Sequence, residues 1–389
     1  MKVLYLTFDG ITDPLGQSQV LPYVEGLAKQ GVQFQLVSLE KNLKKAREFL
    51  PQIQNPNIHW YRLRYVKVRF LGAVINEAQV FFRVFFVLLS KSIDIFHCRS
   101  YLPLVPALVF QKFFGYKIIF DMRGFWPEGL VEVGRIKKDS AAFTVLKMLE
   151  RWGVLCSDHI VVLTPEAQEM LVSQYPKKAG QITWMPTCVD EEKFGNVPPI
   201  SFAQKFVIVY SGSLWNYCDT PAMLDFFVAV KKMVPEAHFL LLGNNQPEKI
   251  LPLFAERNIS EKAYTVLTVP PSQVPAYLAG SQVGISFRKD FYSEKAAFPT
   301  KLAEYLMSGL PVVANTASPH ITHLITSQKV GIIVEAFNSE SFQKAATDLL
   351  ALMKDPNLPK RCQETAKKYL ENRVCINAYA NIYHELQKL

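Results

Sequence analysis

The residues with the clearest chemical potential lie in one predicted helix, which begins at Pro299 or Thr300 and ends at Gly309. N–H groups at the start of a helix can hold phosphate oxygens. Lys301 lies in the first turn, where its charge opposes the helix dipole unless an anionic ligand is bound. Glu304, about one turn further on, can accept hydrogen bonds from two sugar hydroxyls at once. The spacing therefore predicts a site for a ligand that carries phosphate and sugar, and an ordinary amphipathic helix is the alternative.

A second set of polar residues follows the predicted strand 117–121. Asp121, Arg123 and Glu128 lie at or beyond the carboxyl end of this strand, where α/β sheets bind their ligands. Asp121 or Glu128 is a candidate base for the proton of an acceptor hydroxyl, and a structural ion pair between arginine and a carboxylate is the competing interpretation. His97, on the preceding predicted strand, is interpreted as a core histidine in preference to a base.

Apolar runs alternate with helical patterns along almost the whole chain, which is typical of parallel sheets covered on both faces. The predicted strands are 3–8, 34–39, 93–98, 117–121, 160–164, 206–211, 238–242, 266–269, 283–287, 311–314 and 331–334. A proline-rich stretch, 196–201, separates two such series. We predict an α/β fold of two facing Rossmann-like domains with an interdomain cleft, over residues 1–196 and 197–370. Residues 371–389 are predicted to form a C-terminal helix that packs back on the first domain.

Composition and motif content indicate the class of partner and the cellular location, and they disfavour two classes of function. The chain has 389 residues, of which 49% are hydrophobic, and its formal net charge of +9 favours an anionic partner. The six cysteines show no metal or disulfide spacing, and the start lacks the long apolar region of a signal peptide, so we expect a cytoplasmic location. No GxGxxG follows the first strand of either series and no Walker motif occurs, which disfavours dinucleotide binding and ordinary ATPase chemistry.

Two segments of the first domain bear on membrane contact. The most apolar run, 80–89, is too short for a bilayer span of about 20 residues, so we expect a buried helix or a membrane-facing helix. A strand-like run between Trp60 and Phe70 carries four cations, Arg62, Arg64, Lys67 and Arg69. We expect this basic face to attach the protein peripherally to the anionic inner face of the cell membrane. Protection of a sheet edge is the alternative.

Residues 299–312 follow the pattern Pro-(Ser/Thr)-Lys-Leu-x-Glu-Tyr-Leu-x-x-Gly-x-Pro-Val, which resembles the donor-binding signature of one branch of glycosyltransferase family 4. Residues 120–128 resemble an Asp-x-Arg-x-x-Trp-Pro-Glu stretch of that branch. Weaker similarities lie at 94–97, like the strand of the family's buried histidine, at 184–190, like its Pro-Asn-Gly-Val-Asp stretch, and at 14–18, like its glycine-rich front turn. The likeness extends over nearly the whole chain.

The resemblance implies the GT-B arrangement of two Rossmann-like domains and a metal-independent reaction that retains the anomeric configuration. The first domain would bind the acceptor and the second the nucleotide sugar. Glu304 would hold the ribose hydroxyls, and backbone N–H groups near Phe298, Pro299 and Thr300 would face the donor. Gly16 would let the front turn approach the diphosphate. The remaining candidates are Gly212, Ser213 and Val269 for the donor, and His97 and Arg123 on the acceptor side.

The chain departs from the family around the diphosphate. Members have a glutamate eight residues before the position of Glu304, where this chain has Ala296, and they have arginine and lysine where it has Ser-Leu-Trp-Asn-Tyr after the first strand of the second domain. We expect Arg288 and Lys301 to supply the missing charge, although a solvated loop is the alternative for 288–290. The neighbouring cations are Lys289 and Lys295. Magnesium would need carboxylate ligands and no Asp-x-Asp pair occurs, so no metal or cofactor is expected.

We therefore predict a retaining glycosyltransferase that moves a sugar of the glucose or glucuronic acid type from a UDP-sugar to an acceptor. The acceptor is expected to be a glycan or a polyprenyl-diphosphate-linked sugar of bacterial surface polysaccharide synthesis. No protein nucleophile and no nucleic-acid partner are predicted. The alternatives are a nucleotide-sugar epimerase of the same fold and a non-enzymatic protein that binds glycans or nucleic acid through its basic strand.

Overall fold

The computed structural model describes residues 1–68, 71–243 and 246–388, and it divides the chain into two compact units. The first unit contains Met1–Pro186 and Asn372–Leu389, and the second contains Thr187–Glu371. The boundary lies before the predicted position at 196 because the segment after residue 186 is bonded within the second unit. There the Thr187 hydroxyl donates a hydrogen bond of 2.8 Å to the Phe298 carbonyl.

The first unit is a parallel sheet with helices on both faces. Before the C-terminal segment its elements are β1 (Lys2–Thr7), α1 (Pro14–Gln19), α2 (Leu21–Lys29), β2 (Gln33–Glu40), α3 (Leu43–Phe49), β3 (Ile58–Arg64), α4 (Leu71–Ser90), β4 (Ile95–Arg99), α5 (Leu104–Phe114), β5 (Lys117–Asp121), α6 (Trp126–Glu132), α7 (Ala141–Cys156), β6 (His159–Val162), α8 (Pro165–Gln174) and β7 (Ile182–Trp184). Among the described residues the strand order is β3-β2-β1-β4-β5-β6-β7. The order reverses between β1 and β4, which is the Rossmann-like switch point where ligands bind at the carboxyl ends of the strands.

The second unit repeats this design with a smaller sheet. Its elements are α9 (Glu191–Phe194), β8 (Val207–Ser211), α10 (Thr220–Met233), β9 (His238–Leu242), α11 (Pro247–Glu256), β10 (Tyr264–Leu267), α12 (Val274–Ala279), β11 (Val283–Ser286), α13 (Thr300–Met307), β12 (Val312–Asn315), α14 (Pro319–Gln328), β13 (Gly331–Val334), α15 (Ser339–Leu352) and α16 (Leu358–Tyr369). The described strands are all parallel in the order β10-β9-β8-β11-β12-β13, so the switch point lies between β8 and β11.

The C-terminal helix α17 (Asn372–Lys388) belongs to the first unit. The Tyr383 hydroxyl lies 2.7 Å from Nδ1 of His97 on β4. The Tyr379 ring packs 5.9 Å from the ring of Tyr23 on α2. Helix α17 therefore covers the sheet beside α2 and closes the core around His97.

Helix α4 is longer than the predicted apolar run 80–89. The prediction that this segment is too short to span a bilayer was therefore wrong about its length. The helix has 20 residues and, by length and composition alone, could cross a membrane. Helices of protein cores have the same properties, and 33% of its most apolar 18-residue window is buried. Val80, Val84 and Val87 are buried, whereas Phe82 and Phe86 are about 60% exposed. One side of α4 is thus a core surface and the other is an exposed apolar surface.

The predicted basic face on β3 and the apolar helix α4 do not form one surface. Its last residues, Arg69 and Phe70, lie outside the described part of the chain. On β3 the Arg62 guanidinium lies over the Trp60 ring at 5.4 Å. Tyr61, the neighbour of Arg62 on β3, points the other way: the Arg83 guanidinium of α4 lies 5.3 Å from the centroid of its ring. Because successive side chains of a strand point to opposite faces, Arg62 lies on the sheet face away from α4.

Candidate active site

The carboxyl ends of β8, β9 and β10 form one edge of the second sheet. The Gly212 N–H donates to the Leu242 carbonyl at 2.7 Å, and the Gly243 N–H donates to the Leu267 carbonyl at 2.8 Å, so the three strands end side by side. Gly212 has a φ of +104°, which glycine adopts without strain. Gly212 and the exposed Ser213 therefore lie at this edge, and Val269 follows the end of β10, on the other side of β9.

Lys301 lies over this edge, in the first turn of α13. Its Nζ is 3.6 Å from the centroid of the Tyr210 ring, and a Cβ atom on Gly212 would lie 3.4 Å from the same Nζ. Burial, together with the nearby Arg288 charge, lowers the pKa of Lys301 to about 8, although the charge of Glu304 partly opposes the shift. The geometry thus holds a partly desolvated ammonium directly beside the turn that follows β8.

Glu304 lies one turn further along α13. Burial raises the pKa of its carboxyl to about 7, although the Lys301 charge opposes the shift. The next residue, Tyr305, is fully buried, and its hydroxyl accepts a hydrogen bond of 2.8 Å from the Ser211 N–H. This bond fixes α13 against the end of β8, so the helix presents Lys301 and Glu304 together at the switch point.

The start of α13 is positioned by the loop before it. Pro299 is the N-cap residue and Thr300 the first helical residue, as predicted, and no side chain caps the helix. The Phe298 side chain is buried, and its carbonyl is held by Thr187. Backbone N–H groups of this first turn and the Lys301 ammonium lie at one end of the helix, which is the arrangement that binds phosphate oxygens.

Arg288 is not the free cation that the sequence analysis expected. Its Nε and one terminal nitrogen each lie 2.7 Å from a carboxylate oxygen of Glu294, which is 2% exposed. Burial lowers the pKa of Arg288, but the hydrogen bonds and charge of Glu294 outweigh burial and raise it overall. The Arg288 N–H also donates to the Asn315 side chain at 2.8 Å. Arg288 therefore anchors the loop after β11, and Lys301 is left as the cation beside Gly212.

In the first unit, polar residues meet at the switch point between β1 and β4. Strand register places Thr7, Arg99 and Asp121 side by side. The Arg99 guanidinium lies 3.5 Å from Asp121 and donates at 3.0 Å to the Gln19 side chain. Arg123 donates to the same Gln19 oxygen at 2.9 Å. The cluster forms a hydrogen-bonded floor at the edge where a ligand is expected.

The surroundings of Asp121 and His97 decide between the interpretations that the sequence left open for them. Burial raises the pKa of Asp121, but Arg123, the nearby His97 ring and Arg99 outweigh burial and lower it to about 2. Such a carboxylate is a weak base near neutral pH. Burial lowers the pKa of His97, whose ring is 1% exposed and packs 4.3 Å from the Tyr5 ring. The ion pair and the core histidine are therefore the interpretations that the geometry favours.

Arg123 holds an unusual backbone conformation. Its φ of 57° lies in the left-handed region, where a residue other than glycine carries a strain of order 1–3 kcal/mol. Its guanidinium lies 3.5 Å from Asp121. The ion pair and the Gln19 contact hold the residue in this strained form, so its side chain is fixed at the sheet edge.

Glu128 does not join this floor. It lies on α6, where its carboxylate pairs with Lys147 of α7 at 2.7 Å. Lys147 also pairs with the buried Glu150, which accepts a hydrogen bond of 2.7 Å from Tyr101. The three charges tie α6 to α7, so Glu128 is a structural residue and not the free base that was expected.

Gly16 does not lie in an open front turn. It is buried in helix α1, and a Cβ atom there would lie 2.0 Å from the Gly10 carbonyl oxygen, so only glycine fits. The preceding loop is held by the fully buried Glu40, which accepts hydrogen bonds from the Ile11 N–H at 2.6 Å and the Thr12 hydroxyl at 2.8 Å. Gly16 thus packs α1 against residues 10–11 and shapes the loop after β1.

Four residues of these two edges were not predicted. They are Gln19, Arg99, Tyr210 and Glu294. Arg99 had a usable signal, because it directly follows the predicted strand 93–98 and strand ends bind ligands in this fold. The other three have no local signal, since their contacts are made by residues distant in sequence. Among the described residues, no three His, Cys, Asp or Glu side chains converge in a way that could hold a metal ion.

Comparison with known proteins agrees with this geometry. The family model "Glycosyltransferase Family 4" matches residues 17–193. The model "Glycosyl transferases group 1" matches residues 197–369. This chain belongs to glycosyltransferase family 4. It is therefore a glycosyltransferase with two Rossmann-like domains of the GT-B fold, and the prediction of two α/β domains with parallel sheets is confirmed.

Solved structures of glycosyltransferases share the fold at low sequence identity. Sucrose-phosphate synthase from Thermosynechococcus elongatus matches with a TM-score of 0.74 and 15% identity, covering 99% of this chain and 98% of that one. HepE from Anabaena, in complex with UDP and glucose, matches with a TM-score of 0.73 and 14% identity over 100% of both chains. WaaG, which is involved in lipopolysaccharide biosynthesis, matches with a TM-score of 0.70 and 12% identity, covering 97% and 99%. A comparison with curated protein sequences finds no match.

Proposed function

We propose that this family 4 glycosyltransferase transfers a sugar from a UDP-sugar that binds at the switch point of its second unit. The proposal rests on one observation: Lys301 and Glu304 lie one turn apart on α13, beside the turn at Gly212. A desolvated cation at the N-terminal turn of a helix suits a diphosphate, and a carboxylate one turn away suits the two ribose hydroxyls. The Anabaena neighbour was solved with UDP, which supports the choice of nucleotide.

Charge neutralisation at the leaving group is the proposed mechanism. As the bond to the sugar breaks, negative charge grows on the nucleoside diphosphate, and a fixed positive group beside it stabilises the transition state. Lys301 is placed to supply that charge at the turn after β8. We propose that Lys301 and the helix N–H groups act without a metal or other cofactor. Unchanged activity in a chelating buffer is the expected result.

We propose that the acceptor binds the first unit, at the edge formed by Arg99, Asp121, Arg123 and Gln19. These fixed polar groups can hold the hydroxyls of a glycan or of a lipid-linked sugar of surface polysaccharide synthesis. The neighbour WaaG acts in lipopolysaccharide biosynthesis, which supports this class of acceptor. Transfer with retention of configuration is part of the proposal, and the anomeric proton of the product, observed by NMR, tests it.

Replacing Glu304 with alanine is expected to weaken UDP binding at least tenfold. Hydrogen bonds to a charged group contribute about 1.5–3 kcal/mol each, and the variant removes the carboxylate that we assign to the ribose. Isothermal titration calorimetry with UDP measures the change. Glu340→Ala is the matched control, because that residue is an exposed glutamate on α15 of the same unit. Equal affinity of the parent and Glu304→Ala would reject the assignment.

A neutral donor is expected to be preferred over an anionic one. The sequence analysis left glucose and glucuronic acid open because Ala296 replaces a carboxylate near several cations. In the structure Ala296 is buried, and Arg288 is neutralised by Glu294, so this pair offers a sugar carboxylate no net positive charge. Competition between UDP-glucose and UDP-glucuronic acid in a transfer assay measures the preference. Faster transfer from UDP-glucuronic acid would show that the sugar pocket is cationic.

A further inference from the structure

Three neighbouring helices of the first unit form a continuous layer on one face of its sheet. The Phe110 ring of α5 packs 4.5 Å from the Phe81 ring of α4. On its other side, α5 meets α7 so closely that a Cβ atom on Gly153 would lie 2.5 Å from the Leu104 side chain. Helices α4, α5 and α7 therefore present one joint outer surface.

This outer surface is apolar along its whole width. From Phe82 onwards, its large exposed apolar side chains are Phe82, Phe86, Leu89, Val109, Phe113, Val145, Met148, Trp152 and Leu155. We name these nine residues the apolar face. Phe113 is 80% exposed. Within each helix the residues recur every three or four positions and so form one stripe. A contiguous exposed apolar surface of this kind marks a contact with a partner or a membrane.

The charges around the apolar face have one sign. Exposed cations on the three helices are Arg83, Lys112 and Arg151. The helices contain two acidic residues, Glu77 and Glu150. Glu150 is 3% exposed and is bound by Lys147 and Tyr101. Burial of the half-buried Glu77 carboxyl raises its pKa to about 7, so it carries only part of a negative charge at neutral pH, against the four cations of these helices. The surface is therefore apolar and positive.

We infer that the apolar face docks on an anionic lipid bilayer. Aromatic and aliphatic side chains enter the boundary between headgroups and acyl chains while cations on the same helices meet anionic headgroups. Each such cation strengthens binding about fivefold. A second copy of this chain is the less suitable occupant, because a two-fold contact would bring equal positive surfaces together. The inference does not depend on the proposed donor or acceptor, and it moves the membrane contact from β3 to the opposite face of the sheet.

Flotation of the full chain with liposomes tests the inference. The vesicles contain phosphatidylcholine alone, or phosphatidylcholine mixed with phosphatidylglycerol. We expect the parent protein to float with the mixed vesicles. Phe86→Glu and Trp152→Glu should bind at least about tenfold more weakly, since each replaces an aromatic side chain that would enter the boundary between headgroups and acyl chains. Leu251→Glu is the matched control, because Leu251 is a 42% exposed apolar residue on α11 of the second unit. We expect it to float like the parent.

A second pair of variants separates charge from apolar contact. Arg151→Gln and Lys112→Gln together should weaken binding to mixed vesicles and make the remaining binding less sensitive to salt, without changing the unfolding temperature. Parent protein that stays unbound, or face variants that float as well as Leu251→Glu, would overturn the inference. A parent dimer that Phe86→Glu dissociates, measured by light scattering and without vesicle binding, would instead make this face a contact between copies and also overturn it.

Discussion

Replacing Lys301 with alanine is expected to lower kcat about 10²–10³-fold, which is the usual loss when one preorganised group that faces developing charge is removed. The Lys301 ammonium stands 3.6 Å from the Tyr210 ring centroid, beside the turn where we place the diphosphate. Among the described residues Lys301 has no carboxylate oxygen within 4 Å, whereas Arg288 is paired with Glu294. Initial rates at saturating donor measure the effect. Lys289→Ala, a nearby cation that packs over the Phe291 ring at 5.7 Å, should stay within a few-fold of the parent.

The pH dependence of the same reaction gives an independent check on Lys301. Its pKa is lowered to about 8 in the unbound protein, so its charge is present below that pH and is lost as the pH rises through it. Glu304, with a pKa raised to about 7, gains its charge as the pH rises. Since kcat/KM reports the free enzyme, it should fall below about pH 7 and above about pH 8. Lys301→Arg should keep its charge and lose the alkaline fall.

Two results would contradict this role. One is Lys301→Ala with a kcat near that of the parent. The other is an alkaline fall that persists unchanged in Lys301→Arg. The unfolding temperature of each variant separates a loss of folding from a loss of catalysis.

Most of the fold could be predicted because its signals are local. Continuous apolar runs are required of strands that are covered on both faces, and each of the eleven predicted runs overlaps an observed strand. Strand β7 was missed because it has three residues. The edge strand β3 was recognised only as part of the basic run, since its burial alternates. The length of α4 was underestimated because its first half mixes polar with apolar residues.

The site was less predictable because side-chain partners are set by tertiary contacts. The order of residues 299–312 predicted α13 with its lysine and glutamate, and the helix lies at the expected edge. The sequence could not show that Glu294 folds back on Arg288, or that Glu128 reaches Lys147 on another helix. In both ion pairs a candidate site residue is bound by a partner whose sequence surroundings gave no sign of the contact. A charged residue near a predicted site is therefore weak evidence of catalysis until its partner is known.

Removing Arg288 is expected to destabilise the protein severely. Arg288→Ala leaves the carboxylate of Glu294, which is 2% exposed, without its two hydrogen bonds of 2.7 Å. Breaking a buried ion pair by removing one partner costs about 3–5 kcal/mol, which lowers the unfolding temperature by roughly 6–20 °C. Calorimetric unfolding measures this loss. Arg257→Ala is the control, because its partner Asp225 is 45% exposed and can be solvated by water.

The double variant Arg288→Ala/Glu294→Ala separates anchoring from catalysis. Removing both charges leaves no uncompensated ion, so most of the stability lost in Arg288→Ala should return. If Arg288 only anchors the loop after β11, the double variant should also regain activity to within a few-fold of the parent. Restored stability with kcat still reduced a hundredfold would show that the guanidinium also faces the departing diphosphate, as the sequence analysis expected. An Arg288→Ala variant as stable as the parent would contradict the buried pair itself.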